Sequence, residues 1–453
     1  MFNHMMSLDS FEARREYGQS RRKQLRRQDH GRWDPKQRSH SALSILERSM
    51  RGRVASLVAL KYERMAASTF GFFRGAVPIM AADLALLPDT GITTQLCGDA
   101  HVRNLGAYAG PDGRLVFDIN DFDETIRGPF EWDIKRLATS LVLAGHEAGG
   151  KNRDCGEAVS AFVVKYCRCV QVFAKMPVID LARYQIHRLQ RVAPVSLALL
   201  KAERATPMHT LQTLTELAKP KRNEVQHRIF KEQKPLLLRL RSSQARAVLA
   251  SLKLYEEGLQ PDRRHLIHEY RALDVAFKVV GTGSVGTRDY CVYFEGNGGT
   301  DPLFLQIKEE LPSAYEPYLQ RAEAARHQGR RVAEGQRAMQ FQSDMLLGWT
   351  SLSNREYVVR QLNDHKASIA VEDLKGRGLI EYGEICGELL ARGHARAGEP
   401  QVLAGYLGNG RSFERAILEF AEAYADQTEQ DRQVLLKSKH APPVQPGDKT
   451  AGN

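Results

Sequence analysis

Cysteine and tryptophan are scarce in this 453-residue chain, which holds six and three of them, and long apolar runs are missing. Six scattered cysteines are too few for a disulfide framework, so we expect reduced thiols. No stretch approaches the roughly 18 consecutive apolar residues of a membrane-spanning helix. The first residues lack the apolar core of a secretory signal and become charged by Asp9. The sequence therefore predicts a cytoplasmic protein with no membrane partner.

Basic residues outnumber acidic ones, 65 against 54, and much of the excess lies at the N-terminus. Residues 1–40, which we call the basic arm, contain ten Lys/Arg and five Asp/Glu. Clustered cations gain affinity for nucleic acid by releasing counterions. The arm has no regular series of aromatic residues that would stack on bases. We therefore favour a solvated helical segment over a nucleic-acid contact, which stays open.

The apolar spacing changes from helical to strand-like and back along the chain. Residues 41–95 and 130–260 repeat apolar positions every three or four residues, including HRIFKEQKPLLLRLRSSQARAVLASLKLY, and are predicted to be mostly helical. A PDG turn followed by LVFDI predicts a strand-turn-strand unit between 96 and 124. Four further segments alternate as strands: DVAFKVVG, RDYCVYFEG, LFLQIKE and REYVVRQL.

These patterns predict an α+β protein with five parts. They are the basic arm, a helical lobe (41–260), a β lobe (261–365), C-terminal helices that complete the helical lobe (366–439), and a disordered tail (440–453).

A glycine-rich segment, GTGSVG, connects two of the predicted strands. It contains Gly281, Gly283, Ser284 and Gly286. A dinucleotide-binding turn needs a helix after its glycines, whereas RDYCVYFE after this segment is a strand. A glycine loop between antiparallel strands instead brings backbone N–H groups close to nucleotide phosphates. The alternative is a hairpin that binds no ligand.

The next predicted strand ends at Lys308, after an otherwise apolar run. In kinase-type sites such a lysine holds the α- and β-phosphates and is oriented by a glutamate on the following helix. Glu334 is the glutamate that we expect in this role. The alternative is a lysine that extends to solvent from the strand end.

A second group of polar residues begins at CGDAHVRN and continues through LVFDINDFDE. Asp99 and Asn104 lie five residues apart, and four acids follow between 118 and 124. A carboxylate base with nearby carboxylate and amide oxygens suits Mg²⁺-dependent phosphoryl transfer. Such closely spaced acids repel one another unless a cation neutralises them. The alternative is a set of turn-forming Asp and Asn residues.

GDAHVRN, INDFDE and WDIKRLA resemble the catalytic and metal-binding loops of aminoglycoside and choline kinases, in the protein-kinase-like superfamily. With FGFFRGA, VGTGSVGTRDY, DPLFLQIKE, AEGQRAMQ, EYVVRQLNDHK, LLARGHARAG and AYADQTEQD, the chain is also similar to a bacterial family catalogued as domain of unknown function 2252, over about residues 10–435. The kinase resemblance implies a bilobal fold with a small antiparallel β lobe and a large helical lobe. Because the catalytic loop here precedes the glycine loop, that fold would be circularly permuted.

The kinase resemblance also implies roles for individual residues. Asp99 would be the base or orienter for the acceptor hydroxyl, His101 would brace its loop, and Asp133 would tie that loop to a helix. The implied Mg²⁺ ligands are Asn104 and Asp121, with Asp123 or Asp118 in support or at a second metal. The edge strand REYVVRQL and its hinge would bind adenine through the backbone at Gln361 and Leu362, and Arg360 and Lys366 would contact phosphate or substrate.

The leading functional hypothesis is an ATP- and Mg²⁺-dependent phosphotransferase that acts on a small-molecule acceptor. Transfer of AMP to a protein side chain by the same scaffold is an alternative. A non-catalytic protein that binds nucleotide or nucleic acid is another. A metal-dependent hydrolase is least favoured, because histidine-rich ligand spacing is missing.

Overall fold

The computed structural model describes residues 10–186, 189–219, 227–319, 326–362 and 365–442. These residues form an α+β fold whose sheets are all antiparallel. The helices are α1 (Phe11–Ser20), α2 (Ala42–Ser49), α3 (Ala55–Ala66), α4 (Thr69–Gly75), α5 (Val77–Leu84), α6 (Phe130–Glu147), α7 (Asn152–Phe173), α8 (Val178–Arg183), α9 (Ala193–Arg204), α10 (Pro207–Leu214), α11 (Ser242–Glu257), α12 (Pro261–His268), α13 (Gln328–Met339), α14 (Gly376–Ala397), α15 (Pro400–Leu407) and α16 (Arg411–Leu436).

The strands fall into one large sheet and three small ones. They are β1 (Thr93–Leu96), β2 (Leu105–Ala109), β3 (Leu115–Ile119), β4 (Ile126–Pro129), β5 (Thr215–Leu217), β6 (Arg228–Phe230), β7 (Leu237–Arg239), β8 (Arg271–Lys278), β9 (Asp289–Glu295), β10 (Pro302–Glu309), β11 (Gly348–Leu352), β12 (Arg355–Gln361) and β13 (Ala367–Ser368). The large sheet has the order β11-β12-β10-β9-β8-β7, and the three-stranded sheet has the order β13-β2-β3.

The large sheet is covered on both faces. Successive side chains of a strand point to opposite faces, so Leu305 and Ile307 lie on one side of β10 and Phe304 on the other. The first side packs against Leu252 of α11. The second packs against Leu211 of α10 and against β6. All eight residues of β10 are consequently buried.

The helical part is centred on α6, α7, α14 and α16, whose apolar faces form the main core. Glycines let α14 approach α7 closely, since a Cβ on Gly383 would lie 2.5 Å from the carbonyl oxygen of Ala158. Tyr382 of α14 donates a 2.7 Å hydrogen bond to the carbonyl of Val102, in the loop after β1. A helix near the C-terminus thus supports a loop near residue 100.

The basic arm packs against the C-terminal helices through its own cations. Arg22 and Arg27 donate to the carbonyls of Tyr406 and Leu407 at the end of α15, at 2.8 and 2.7 Å. Such cations stabilise a helix C-terminus. Arg38 bridges Asp83 (2.6 Å) and Asp431 (2.7 Å) in the interior. The solvated lead-in expected for residues 1–40 is therefore wrong for these residues, whose cations are engaged within the chain.

Two secondary-structure predictions need correction. The segment 228–241, predicted as helix, forms β6 and β7 instead, and α11 begins only at Ser242. Pro235 lacks the N–H that a helix interior needs, and β7 pairs with β8 at the sheet edge. The strand REYVVRQL is internal and not an edge, because β11 joins it through Ser353 and Asn354, both at positive φ.

The predicted domain boundaries also differ from the packing. Both β7 and α11 belong with the large sheet, so the β lobe starts before residue 261. Within the predicted tail, His440 stacks on Tyr62 with 4.5 Å between ring centroids and contacts Glu47 at 2.8 Å. Residues 443–453 lie outside the described residues. No helix in the described ranges combines the length and apolar character needed to cross a bilayer.

Candidate active site

The loop after β1 carries the predicted catalytic residues and is fixed by a buried carboxylate. Asp133, near the start of α6, accepts hydrogen bonds from the backbone N–H groups of Cys97 (2.8 Å) and Gly98 (3.0 Å). Gly98 has φ +84°, and a Cβ there would collide with the carbonyl of Glu124. Glycine is required at this turn, and Asp133 ties the loop to the helix as expected.

Asp99 points one carboxylate oxygen at a buried arginine. Its Oδ1 accepts from Nε (2.7 Å) and Nη2 (2.5 Å) of Arg136, which is fully buried. Its Oδ2 lies 3.6 Å from Nε2 of His101. Burial raises the pKa of Asp99 above its ordinary value, against the opposing charge of Arg136. The result is a buried carboxylate with a fixed orientation, as a general base requires.

His101 supports the loop by accepting a 3.2 Å hydrogen bond from the N–H of Arg103 at Nδ1. Burial, followed by the charges of Arg74 and Arg136, lowers the pKa of His101 well below its ordinary value. The imidazole is therefore neutral near pH 7 and braces the loop without carrying charge.

Asn104 and two aspartates, Asp121 and Asp123, line one cavity. The amide nitrogen of Asn104 donates to the carbonyl of Asp99 at 2.8 Å, which leaves its oxygen for another partner. Oδ1 of Asp121 and Oδ1 of Asp123 are buried and accept no hydrogen bond among the described residues. Buried carboxylate oxygens without donors are costly unless a cation neutralises them.

Lys308 supplies part of that positive charge from behind the aspartates. Its ammonium contacts Asp123 closely and lies 3.9 Å from Asp121. Burial opposes ionisation of Asp121, but the charges of Lys308, Arg360 and Lys366 outweigh it and lower the pKa of Asp121. Burial and the neighbouring Asp121 raise the pKa of Asp123. Lys308 therefore keeps this pair partly ionised.

The glycine loop is held by its carbonyl groups. Lys61 of α3 donates to the carbonyls of Thr282 (3.2 Å) and Gly283 (2.5 Å), and Arg53 donates to that of Val285 at 2.8 Å. The N–H groups of Gly281, Thr282 and Gly283 reach no acceptor among the described residues. Because the carbonyls are occupied on one side, the amides remain available to an anion on the other.

One cavity of about 830 Å³, open to solvent, joins these parts. It is lined by the glycine loop, by the loop after β1, by the acids after β3, and by cations of the N-terminal helices. The predicted residues on its wall are Asp99, His101, Asn104, Asp121, Asp123, Gly281, Gly283 and Ser284. Segments nearly 200 residues apart in sequence therefore meet at one site.

The residues at this cavity fit Mg²⁺ better than a transition metal. Among the described residues, no three His, Cys, Asp or Glu side chains are grouped as a metal site. Mg²⁺ is commonly held by one or two carboxylates together with phosphate and water. Asp121 and Asn104, with Asp123 beside them, would provide the protein ligands.

Six predicted site residues do not line this cavity, and one of them, Lys308, is buried beside Asp123 instead of at the wall. Glu334 is on the exposed face of α13 and pairs with Arg330 at 2.7 Å, so the expected ion pair with Lys308 is not formed. Asp118 is fully buried under α14. Its Oδ1 pairs with Arg392, and its Oδ2 accepts from the N–H of Phe341 at 3.2 Å. It is a structural residue and not a metal ligand.

The remaining predicted site residues are Gln361 and Leu362 of the predicted hinge and Gly286, the third glycine of GTGSVG. The N–H of Gln361 donates to Asp344 at 2.5 Å and that of Leu362 to Phe304 at 2.9 Å, so both are already occupied. Gly286 packs on Arg53 and does not line the cavity. Arg360 and Lys366 line a different cavity.

Sequence reasoning missed four basic residues of the site. Arg53, Lys61 and Arg74 line the cavity, and Arg136 holds Asp99. Burial lowers the pKa of Arg74 to about 10, and its Nε has no partner among the described residues. Arg136 lies in the WDIKRLA motif and Arg74 in FGFFRGA, but neither motif indicates where its cation points. Arg53, in the turn between α2 and α3, and Lys61 of α3 belong to no motif.

Comparison with known proteins gives one broad match and one narrow match. The family profile described as "Uncharacterized protein conserved in bacteria (DUF2252)" matches residues 53–438. A Xaa-Pro dipeptidase of Xanthomonas axonopodis pv. citri (strain 306) is 29% identical over 87 residues, which are 19% of this chain and 20% of that protein. The chain thus spans about a fifth of the length of this curated relative. No solved structure matches the chain.

Proposed function

This chain belongs to the DUF2252 family of proteins conserved in bacteria, and we propose that it is an ATP- and Mg²⁺-dependent phosphotransferase acting on a small hydroxyl-bearing molecule. One observation carries the proposal. The glycine loop at residues 281–283, the candidate metal ligands Asn104 and Asp121, and Asp99 with its oriented carboxylate line the same cavity. Phosphoryl transfer needs a phosphate cradle, a metal site and a base within one site.

The arrangement of elements supports a permuted kinase-like fold. The glycine loop between β8 and β9, Lys308 on β10, helix α13 and the β11–β12 hairpin follow in the order of the small kinase lobe. The helix that the kinase resemblance assigns before the catalytic loop is α14, and Tyr382 of α14 contacts that loop at Val102. Chain order and spatial order thus differ as a permutation requires.

In this proposal, Asp99 orients the acceptor hydroxyl and accepts its proton. Arg136 fixes the carboxylate, and the neutral His101 holds the loop. The amides of residues 281–283 bind phosphate oxygens, since the carbonyls of Thr282 and Gly283 are engaged by Lys61. Mg²⁺, when bound at Asn104 and Asp121, neutralises charge on the transferred phosphoryl group.

Recognition of the nucleotide would rest on its phosphates. The amides of Gln361 and Leu362 are occupied. Leu211 and Phe230 cover the apolar part of the sheet face that carries Lys308. Among the described residues, neither of these two N–H groups nor this apolar face is available to a purine base. We therefore expect little discrimination between bases.

Incubation with labelled ATP, Mg²⁺ and a bacterial metabolite extract tests the proposal. We expect label from γ-labelled ATP, and none from α-labelled ATP, to appear on a small molecule. Asp99→Asn should abolish this transfer while nucleotide still binds. Asp112→Asn, at an exposed turn between β2 and β3, is the matched control and should leave transfer unchanged.

The same experiment separates the alternatives. Transfer of α-label to protein would indicate nucleotidyl transfer on this scaffold. Nucleotide binding without any Asp99-dependent transfer would indicate a non-catalytic binding protein. Either result would contradict the phosphotransferase proposal.

A further inference from the structure

A second cavity, with about 430 Å³ of partly open space, lies between α13, the end of β12 and the β2–β3 hairpin. Its polar wall consists of Tyr108, Asn120, Gln336, Gln340, Arg360 and Lys366. It shares no lining residue with the candidate active site. Asn120 of this cavity and Asp121 of the candidate active site are neighbours in sequence, so the two cavities share this short segment.

Two amide side chains on this wall have atoms without partners. Nδ2 of Asn120 and Oε1 of Gln336 are buried and make no hydrogen bond among the described residues. The two residues are only 7% and 5% exposed. A buried donor or acceptor without a partner costs stability. Both residues line this cavity, so one unused donor and one unused acceptor beside it indicate a ligand that supplies both complements.

The cavity also carries two cations. Nε of Arg360 donates to Gln306 at 2.9 Å, and its terminal nitrogens reach no acceptor among the described residues. Lys366 forms no hydrogen bond or ion pair with a described residue. The charge of Arg360, together with burial, lowers the pKa of Lys366 to about 7. Arg360 is buried and Lys366 half-buried, and two cations at one wall favour an anion between them.

The charges of Asp121 and Asp123 act on both cations from outside this cavity. The acid of its own wall is Asp344. Asp344 directs its carboxylate at the backbone, where it accepts from the N–H groups of Gln361 (2.5 Å) and Leu346 (2.8 Å). The tyrosine hydroxyl is likewise engaged, since Tyr108 donates to the carbonyl of Gln342 at 2.7 Å. The groups left for a ligand are therefore two cations, one amide donor and one amide acceptor.

We propose that this cavity binds a small anion that carries a hydroxyl group, namely the phosphate ester or carboxylate of a polyol. Arg360, Lys366 and the amide of Asn120 hold the anionic group, and Gln336 accepts a hydrogen bond from the hydroxyl. Charge-assisted hydrogen bonds of this kind are roughly twice as strong as hydrogen bonds between neutral groups. The site is separate from the proposed nucleotide site, and its occupancy does not depend on phosphoryl transfer.

Isothermal titration calorimetry with glycerol 3-phosphate, glycerate and glycerol tests this site on the full chain. We expect one of the two anions to bind with 1:1 stoichiometry and glycerol not to bind. Tighter binding of the ester would identify a phosphate site, and tighter binding of glycerate a carboxylate site. Lys366→Met should weaken binding about tenfold or more, and Lys366→Arg should restore most of it.

Lys375→Met is the matched control, because Lys375 is exposed at the start of α14 and lines neither cavity. Asn120→Ala provides a second variant that removes the donor from the opposite wall, and it should also weaken binding. Failure of both anions to bind, or equal binding by Lys366→Met and Lys375→Met in folded protein, would overturn the assignment.

Discussion

Replacing Asp289 by asparagine should stabilise the protein, and more so at higher pH. Asp289 is 2% exposed on β9, opposite Lys308 of β10. Its Oδ2 accepts from Gln306 at 2.6 Å, whereas Oδ1 has no partner among the described residues. Burial outweighs the opposing charge of Lys308 and raises the pKa of Asp289 from 3.8 to about 7.

The magnitude follows from proton linkage. Because the pKa of Asp289 is raised in the folded state, the folded protein keeps the carboxyl proton over a range of pH in which the unfolded chain has lost it. Stability is therefore greatest below pH 3.8 and declines until the pH passes about 7. At about 1.4 kcal/mol per pKa unit, the raised pKa costs about 4 kcal/mol at pH 8 and about 2 kcal/mol at pH 5. Asp289→Asn removes this cost and keeps the acceptor for Gln306.

Urea unfolding of the wild type and of Asp289→Asn at pH 5 and pH 8 measures the effect. The free energy of unfolding of the variant should exceed that of the wild type by about 2 kcal/mol at pH 5 and by about 4 kcal/mol at pH 8. The exposed Asp112→Asn variant should change neither value. An Asp289→Asn gain that is equal at the two pH values, or a loss at pH 8, would refute the reasoning.

Three further predictions concern stability, pH dependence and nucleotide choice. Arg38→Met leaves the buried carboxylates of Asp83 and Asp431 unpaired and should lower the free energy of unfolding by about 3–5 kcal/mol, measured by urea denaturation. Since burial raises the pKa of Asp99, phosphoryl transfer measured as kcat/KM against pH should be lost on acidification at a higher pH than an ordinary aspartate gives. An acid limb at or below pH 3.8 would contradict this expectation. GTP should replace ATP with a kcat/KM within about tenfold, because the amides of Gln361 and Leu362 are occupied; strict ATP specificity would contradict that reading.

The parts of the site that the sequence predicted correctly are local. The glycine loop lies between two strands whose alternation is visible in sequence, and β8, β9 and β10 follow the predicted segments closely. The spacing of Asp99 and Asn104 likewise places both on one short loop. The side chain of Asn104 donates to the backbone carbonyl of Asp99, a contact that spans five residues and that sequence spacing can represent.

The errors arose where a role depends on a distant partner. Asp118 and Asp121 look alike in sequence, and only the packing of Arg392 on Asp118 separates a structural acid from a candidate ligand. Glu334 lies on the exposed side of α13, whose buried residues include Gly335 and Gln336. The motif of this segment does not specify which side of the helix faces the lysine.

The contact between α3 and the glycine loop could not be predicted for the same reason. Lys61 is 221 residues from Thr282 in sequence, and the helix that carries it has an ordinary amphipathic pattern. The role of a buried lysine on such a helix is known only from the tertiary structure, which brings the loop carbonyls to its ammonium. Polar contacts between residues far apart in the chain produce no recognisable spacing in the sequence.

The most direct test of the central claim is the Mg²⁺ dependence of ATP binding, measured by calorimetry on the wild type and on Asp121→Asn. If Asn104, Asp121 and the glycine loop form one site, Mg²⁺ should tighten ATP binding to the wild type by about tenfold or more, since the ion bridges phosphate and carboxylate. Asp121→Asn should lose that enhancement, and the exposed Asp112→Asn should retain it. ATP binding that is independent of Mg²⁺, or an enhancement unchanged in Asp121→Asn, would contradict the account.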